Sequence, residues 1–227
     1  AAAALDPEVR LVLLDGKLVE LAAWAACADR SVGVDVAEAI EVLNQLRAEM
    51  DKRYRQLLAA GKRKVTRDDG LPLWLVVVDE LAHYTTCDLK PDKGARKLGD
   101  QFSDALRDLV SRGRAAGIIV VAATQKPSHD IVPTALRDLF GFRWALRCST
   151  PHASDTILGA GWASNGYTAS DIDPSARGVG LLLQEGGIPT RIRSYHLDDH
   201  TIKKIAQRAA WIREDYHYPT VLGGGAA

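Results

Sequence analysis

Six consecutive apolar residues, Leu73-Trp74-Leu75-Val76-Val77-Val78, end abruptly in Asp79-Glu80. An unbroken apolar run of this length, bounded by polar residues, predicts a buried strand of a parallel sheet. Val9 to Leu14, apolar but for Arg10, reads as another short buried strand and ends at Asp15-Gly16; Ile118 to Ala123 ends at Thr124-Gln125. Between these runs the period changes. Val36, Ile40, Leu43, Leu46, Met50, Tyr54 and Leu57 recur at three- and four-residue intervals. That spacing predicts a long amphipathic helix over 35–60, with Asp35 as its N-cap and Gly61 as its stop. A polar, Lys-rich stretch from Thr85 to Gly99 reads as a loop. A helix is expected to follow from about Asp100 to Arg114, with Phe102, Leu106, Leu109 and Val110 on one face and Gly117 ending it. Phe142 to Cys148, Gly178 to Leu183 and Pro189 to His196 read as later strands, and Asp199 to Glu214 as a last amphipathic helix. Strands alternating with helices predict an α/β fold with a mostly parallel sheet flanked by helices.

The length of 227 residues suits one full core, expected over 1–215, with a tail over 216–227 that ends in Gly and Ala. Lys+Arg and Asp+Glu each number 29, so there is no global basic footprint and any polyanion contact must come from a local cluster. No apolar run approaches the ~20 residues of a membrane span, and no signal-peptide pattern opens the chain. Three cysteines, odd in number and without metal-ligand spacing, read as buried thiols of a reduced compartment. The six histidines are equally scattered, and the five tryptophans are expected in core packing. The chain opens on Ala1 to Ala4 with no initiator Met and reads as a piece of something longer.

Chemistry concentrates where the apolar runs end. A carboxylate at the carboxyl end of a parallel strand sits where open α/β sheets bind ligands. Asp79 can hold Mg²⁺, usually through water, and Glu80 can polarise a water that attacks a γ-phosphate. The plainer account is a core strand followed by a solvated acidic turn. Gln125 ends the neighbouring apolar run and can accept from water or donate to a phosphate oxygen. Arg114 falls at a helix end, where the dipole favours a cation. Lys90, Lys93, Arg96 and Lys97 form a compact basic cluster with Pro91, Asp92 and Gly94 between them, which predicts a loop suited to phosphate contacts. Lys126, His129 and Arg137 could form a second such loop. The phosphate-cradling pattern G-x-x-x-x-G-K-[ST] does not occur in the sequence.

Taken in order, Val12-Leu13-Leu14-Asp15-Gly16-Lys17, Val77-Val78-Asp79-Glu80-Leu81-Ala82, Gly113-Arg114-Ala115-Ala116-Gly117-Ile118 and Ala123-Thr124-Gln125-Lys126-Pro127-Ser128 resemble the motor domain of the FtsK/SpoIIIE family. The resemblance is especially to its actinobacterial plasmid-transfer branch and covers roughly residues 5 to 212. It implies a RecA-like P-loop NTPase core, lacking at its N-terminal side the segment that carries the phosphate loop. It implies ATP and Mg²⁺, with Asp79 as metal site, Glu80 as catalytic acid, Gln125 as phosphate sensor and Arg114 reaching the next subunit's nucleotide; Arg112 and Arg143 stand in reserve. The implied partners are double-stranded DNA, held by Lys90, Lys93, Arg96, Lys97, Lys126 and Arg137, and further copies of the chain in a hexameric ring. The implied function is ATP-driven DNA pumping in plasmid conjugation or chromosome partitioning. A protein-translocating ATPase of the type VII secretion kind, and a ring-assembly module without catalysis, are the alternatives. The resemblance further implies a cytoplasmic location, with tethering to the inner face of the membrane through an upstream segment left open. These 227 residues by themselves are expected to be inactive. Where the family often has Arg before Thr-Ile-Leu, this sequence has Asp155, so no trans-acting arginine is assigned there.

Overall fold

The computed structural model describes residues 1–86 and 93–214, the side chains of 93–96 excepted. The chain divides into two compact units, one made of 1–125 with 198–214, the other of 126–197.

In the first unit a short helix α1 (Ala2–Leu5) leads into β1 (Val9–Leu14), a 3-10 turn (Ala22–Cys27) and the short strand β2 (Arg30–Val32). Then come α2 (Val36–Ala59), β3 (Leu73–Val78), α3 (Leu81–Thr86), α4 (Lys93–Arg112), a 3-10 turn (Gly113–Ala116) and β4 (Ile118–Ala122). The four strands form one parallel sheet in the order β2-β1-β3-β4. Each apolar run ends level with its neighbour, because Leu14 pairs with Val78 and Val78 with Ala122. The register therefore brings Asp15, Asp79 and Ala123 to a common edge.

Asp35 caps α2 as its position predicts, accepting from the amides of Ala37 and Glu38. The buried face of α2 (Ile40, Leu43, Leu46, Met50 and Leu57 among others) is the one its spacing defines, and α2 packs along α4. The basic stretch expected to be a loop is a correction: Lys93 to Gly99 belong to α4. The reason is that the apolar stripe starts earlier than Phe102. Half-buried Leu98 continues it by one turn, in register with buried Phe102, Ala105, Leu106 and Leu109. Helix α3 is pinned by Tyr84, which donates to Gly33 O at 2.7 Å and stacks on Phe102 with ring centroids 5.0 Å apart. Among the described residues no helix is long and apolar enough to cross a membrane.

The second unit holds α5 (Thr134–Arg137), β5 (Phe142–Leu146), α6 (Pro151–Leu158), β6 (Val179–Gln184) and β7 (Thr190–Arg193). Its strands make a separate antiparallel sheet, β5-β6-β7. β6 and β7 are joined through Gly186-Gly187, too short a link for the helical crossover that parallel pairing requires. Its core is Ala145, Cys148, Leu158, Ala169, Ile172, Val179, Leu181 and Leu183. Asp155 has a local task here, accepting from Gly161 N at 3.0 Å and Ala163 N at 2.8 Å and so fixing the turn after α6. Trp74 is fully buried, but Trp144 and Trp211 are exposed and do not serve the core role expected of them. Cys27 and Cys148 are buried free thiols, and burial pushes both thiols up.

The chain returns to the first unit in α7 (Asp199–Glu214), which packs on α1 and the 22–27 turn. Ala209 joins Ala4, Leu11 and Cys27 in a buried cluster, with Leu75 against it. Arg213 donates to the carbonyls of Ala3, Ala4 and Asp6.

Candidate functional site at the carboxyl edge of the parallel sheet

Three strand ends build the site. Asp79 N donates to Leu14 O at 3.0 Å, Ala123 N to Val78 O at 2.8 Å and Leu81 N to Ala123 O at 2.8 Å, so the backbones at the ends of β1, β3 and β4 are locked together. The Glu80 carboxylate reaches toward β4. Its Oε1 accepts from Thr124 Oγ1 at 2.7 Å, and Gln125 N lies 3.3 Å from both carboxylate oxygens. Ala82 N adds a longer contact at 3.4 Å. Asp79, Glu80 and Gln125, expected at one edge from the ends of their apolar runs, lie together there.

Two residues join them that the motif reading did not assign. Lys17 Nζ lies 3.9 Å from Asp79 Oδ2 and 3.7 Å from Glu80 Oε2, an ammonium between two acids. The turn that carries it is organised by buried Asp15, which accepts from Lys17 N at 3.1 Å and Leu21 N at 2.9 Å. Leu18 in this turn sits in the left-handed region at φ 66, a strain of about 1–2 kcal/mol for a residue with a Cβ. Strain of this kind persists where surrounding contacts hold it, often beside functional groups. Gly16 is required by close approach, since a Cβ there would lie 2.9 Å from His83 Cβ. The signal for Asp15 and Thr124 was available: both end apolar runs that neighbour the Asp79 strand.

The electrostatics of Asp79 are distinctive. Burial pushes its carboxyl up; Lys17 pulls it down, while Glu20, Asp15 and Glu80 push it further up. No described residue donates a hydrogen bond to its buried Oδ2. A buried carboxylate oxygen without a donor costs free energy unless a cation supplies the missing partner. Among the described residues, no group of three or more His, Cys, Asp and Glu side chains forms a closed metal cage. Magnesium does not need one, since it is commonly held by one or two carboxylates with water and phosphate completing its shell. The donor set fits a metal that arrives with a nucleotide.

The other sequence-derived candidates lie elsewhere. Arg114 is exposed in the 3-10 turn that precedes β4, at the opposite end of that strand from Gln125. This turn depends on two glycines. A Cβ at Gly113 would come within 2.7 Å of Ile118 O, and Gly117 has φ +74. Arg112 is engaged by Asp108, through contacts of 2.6 and 2.8 Å, and by Asp51 at 3.1 Å. Lys97 is exposed on α4, Lys93 and Arg96 lie in its first turns, and Lys90 falls outside the described residues. Lys126, Arg137 and Arg143 belong to the second unit. There Arg137 Nε donates to Asp138 at 2.9 Å, and Arg143 lies 3.5 Å from the same carboxylate. His129 shares a hydrogen bond of 3.2 Å with Thr134.

No protein-family model matches the chain. It is 26% identical over 233 aligned residues to the DNA translocase FtsK of Staphylococcus epidermidis, an alignment covering 91% of this chain and 27% of that protein. The chain thus spans about a quarter of the length of the curated relatives it matches. Its fold is similar to that of the pCW3 conjugation coupling protein TcpA in its monomer form with ATPγS, with TM-score 0.77 and 21% identity, covering 90% of this chain and 57% of that one. It is also similar to the cytoplasmic domain of the Thermomonospora curvata type VII secretion ATPase EccC, with TM-score 0.66 and 16% identity, covering 90% of this chain and 24% of that one. The parallel sheet flanked by helices is the fold these solved structures share with the chain. The chain is thus a homologue of proteins named DNA translocase FtsK, at 26% identity over 91% of its length, and shares its fold with a conjugation coupling protein.

Proposed function

We propose that the chain is the acid-bearing part of an ATP-driven motor that moves double-stranded DNA through a hexameric ring in the cytoplasm, in plasmid conjugation or chromosome partitioning. The observation that carries this reading is the pair Asp79-Glu80 at the carboxyl edge of β3, with Gln125 beside it from β4. Phosphoryl transfer asks for positioning and charge stabilisation and needs no covalent step from the protein. Asp79 would hold Mg²⁺ through water; when bound, the ion supplies neutralising charge at phosphate oxygens. Glu80, fixed by Thr124 and Gln125, polarises the attacking water. Gln125 has its backbone committed to Glu80 and its side chain exposed, free to report on a phosphate by donating or accepting. Lys17 offsets the two acids before nucleotide and metal arrive. Since the sequence contains no G-x-x-x-x-G-K-[ST] loop, turnover is assigned to the intact parent and not to these 227 residues by themselves.

DNA is favoured as cargo over protein because the kinship in sequence is to DNA translocases, whereas the likeness to EccC is one of fold. The test is Glu80→Gln in the intact parent. Nucleotide binding should be retained within about threefold while DNA-stimulated turnover falls by at least about 10²-fold, since the amide keeps the shape and loses the charge. Unchanged kcat with weakened ATP binding would overturn the role of Glu80. Turnover stimulated by unfolded protein substrates and not by duplex DNA would overturn the cargo.

A further inference from the structure

Glu80 is held by an anchor that the acid-pair reading does not use. Among the described residues the carboxylate accepts from three donors of unequal quality. The amides of Gln125 and Ala82 lie at 3.3 and 3.4 Å, beyond the usual range for N–H···O. The Thr124 hydroxyl lies at 2.7 Å from Oε1, the short distance of a charge-assisted O–H···O⁻ bond. Thr124 itself is placed by backbone that a side-chain change leaves intact, because Ala123 is bonded on both sides, to Val78 O and from Leu81 N. Its hydroxyl therefore approaches Glu80 from a fixed point. With Oε1 tied toward β4, Oε2 faces the Lys17 ammonium at 3.7 Å, on the side shared with Asp79.

We infer that Thr124 is a positioning residue for Glu80, tying Oε1 to the end of β4 so that Oε2 is presented toward Lys17 and Asp79. The inference rests on the reading of Glu80 as the group that polarises the attacking water. Without the hydroxyl the carboxylate keeps, among the described residues, two long amide contacts and the Lys17 ammonium at 3.7 Å, none of them a short anchor, and can turn about its own side-chain torsions. A displacement of about 1 Å in a group that orients the reacting water costs about 10²-fold in rate without touching substrate affinity.

The experiment is steady-state and single-turnover ATP hydrolysis by the intact parent protein carrying Thr124→Val, Thr124→Ala or Thr124→Ser. Thr124→Val keeps the shape and removes the donor, so kcat should fall by about 10- to 100-fold while KM for ATP stays within about threefold. Thr124→Ala should behave alike, which keeps the test sound if the valine variant folds poorly. Thr124→Ser restores a hydroxyl and should recover most of the turnover. A residue acting through Glu80 should add nothing once Glu80 is disabled, so Glu80→Gln/Thr124→Val should be no slower in single turnover than Glu80→Gln. Wild-type kcat in both Thr124→Val and Thr124→Ala, loss of rate that Thr124→Ser fails to recover, or a full additional loss in the double variant would each overturn the inference. If Glu80→Gln itself retains full turnover, the reading of Glu80 fails and the inference falls with it. If Glu80→Gln is inactive and Thr124→Val is not, only the positioning role fails.

Discussion

The Asp79 carboxylate carries a buried oxygen with no described hydrogen-bond donor, and Glu20, Asp15 and Glu80 add their charges against it. Folding alone would not choose this arrangement; it suits a residue whose partner is a cation brought by a ligand. The consequence is a stability cost with a defined pH range. Burial holds the folded carboxyl above its ordinary value of 3.8, so above the folded pKa the ionised side chain penalises the folded state, and below 3.8 both states carry the proton and the penalty disappears. Asp79→Asn should accordingly raise Tm at pH 7, with the difference from wild type closing as pH falls toward 3.8. Thermal unfolding of the two proteins across this range checks it, and a variant that is less stable at pH 7 would show that Asp79 is already satisfied. Asp79 and Glu80 were legible in the sequence because an apolar strand announces its own end. Lys17 was visible as part of a motif, but its place between the acids was not, since that depends on the turn built by Asp15 and on the strained backbone at Leu18.

At the scale of elements, β1, β3 and β4 follow from their apolar runs and the face of α2 from its period, while β2, α6 and the start of α4 do not. The first turns of α4 are rich in Lys, Arg and Gly, and half-buried Leu98 extends the stripe. The separate antiparallel sheet was not readable either, because strand content does not fix strand direction. Least visible of all was the buried ion pair of α2. Arg53 Nε donates to Glu49 at 2.8 Å, and Arg53 Nη1 donates to Ala116 O at 2.9 Å, so α2 holds the turn that presents Arg114. Glu49 and Arg53 fall at three-residue steps from Leu46 and Met50, on the same face as the apolar stripe, and tertiary packing buries them. Arg53→Met would leave buried Glu49 with the long Lys52 contact at 3.9 Å in place of its close partner and should cost about 3–5 kcal/mol in urea unfolding. Glu49→Met/Arg53→Met should cost less than the single change, because no unpaired charge remains. A double variant at least as damaging as the single one would show that the pair contributes through packing and its bond to Ala116. On the neighbouring face, Arg112 and Arg47 hold the Asp108 carboxyl down at about 2. That link between α2 and α4 contributes above the ordinary value of 3.8 and is lost as pH falls toward about 2, so Asp108→Asn should flatten part of the acid-unfolding transition. An unchanged transition would show that this surface link adds little.

For the whole molecule the decisive geometry is the separation of Arg114 from the acids. They occupy opposite ends of the parallel sheet: Arg114 lies before Ile118, while Glu80 meets the chain at Thr124 and Gln125. The five residues of β4 alone span roughly 16 Å, so Arg114 does not reach the acid pair of its own chain. On the proposed function, a role in phosphoryl transfer falls to it only toward another copy, in a head-to-tail ring whose subunits would set the carboxyl edge of one against the 113–116 turn of the next. The motif Gly-Arg-Ala-Ala-Gly fits that duty, because close packing at Gly113 and the left-handed backbone of Gly117 hold the guanidinium on a rigid turn. Arg114→Ala in the intact parent should therefore lower turnover by about 10³-fold or more, the range of a transition-state arginine, while duplex DNA binding and the salt dependence of that binding stay unchanged. Glu80→Gln should be inactive for a different reason, since its own acid is lost while its Arg114 is whole. Mixing the two inactive proteins restores contacts in which an intact Glu80 faces an intact Arg114, at roughly a quarter of the interfaces in a randomly mixed ring. The mixture should regain measurable turnover that neither protein shows separately, rising and falling with the mixing ratio around equal proportions. If mixed rings form, as shown by co-purification of differently tagged subunits, and turnover stays absent at every ratio, Arg114 does not act across the interface and its rigid turn serves packing alone.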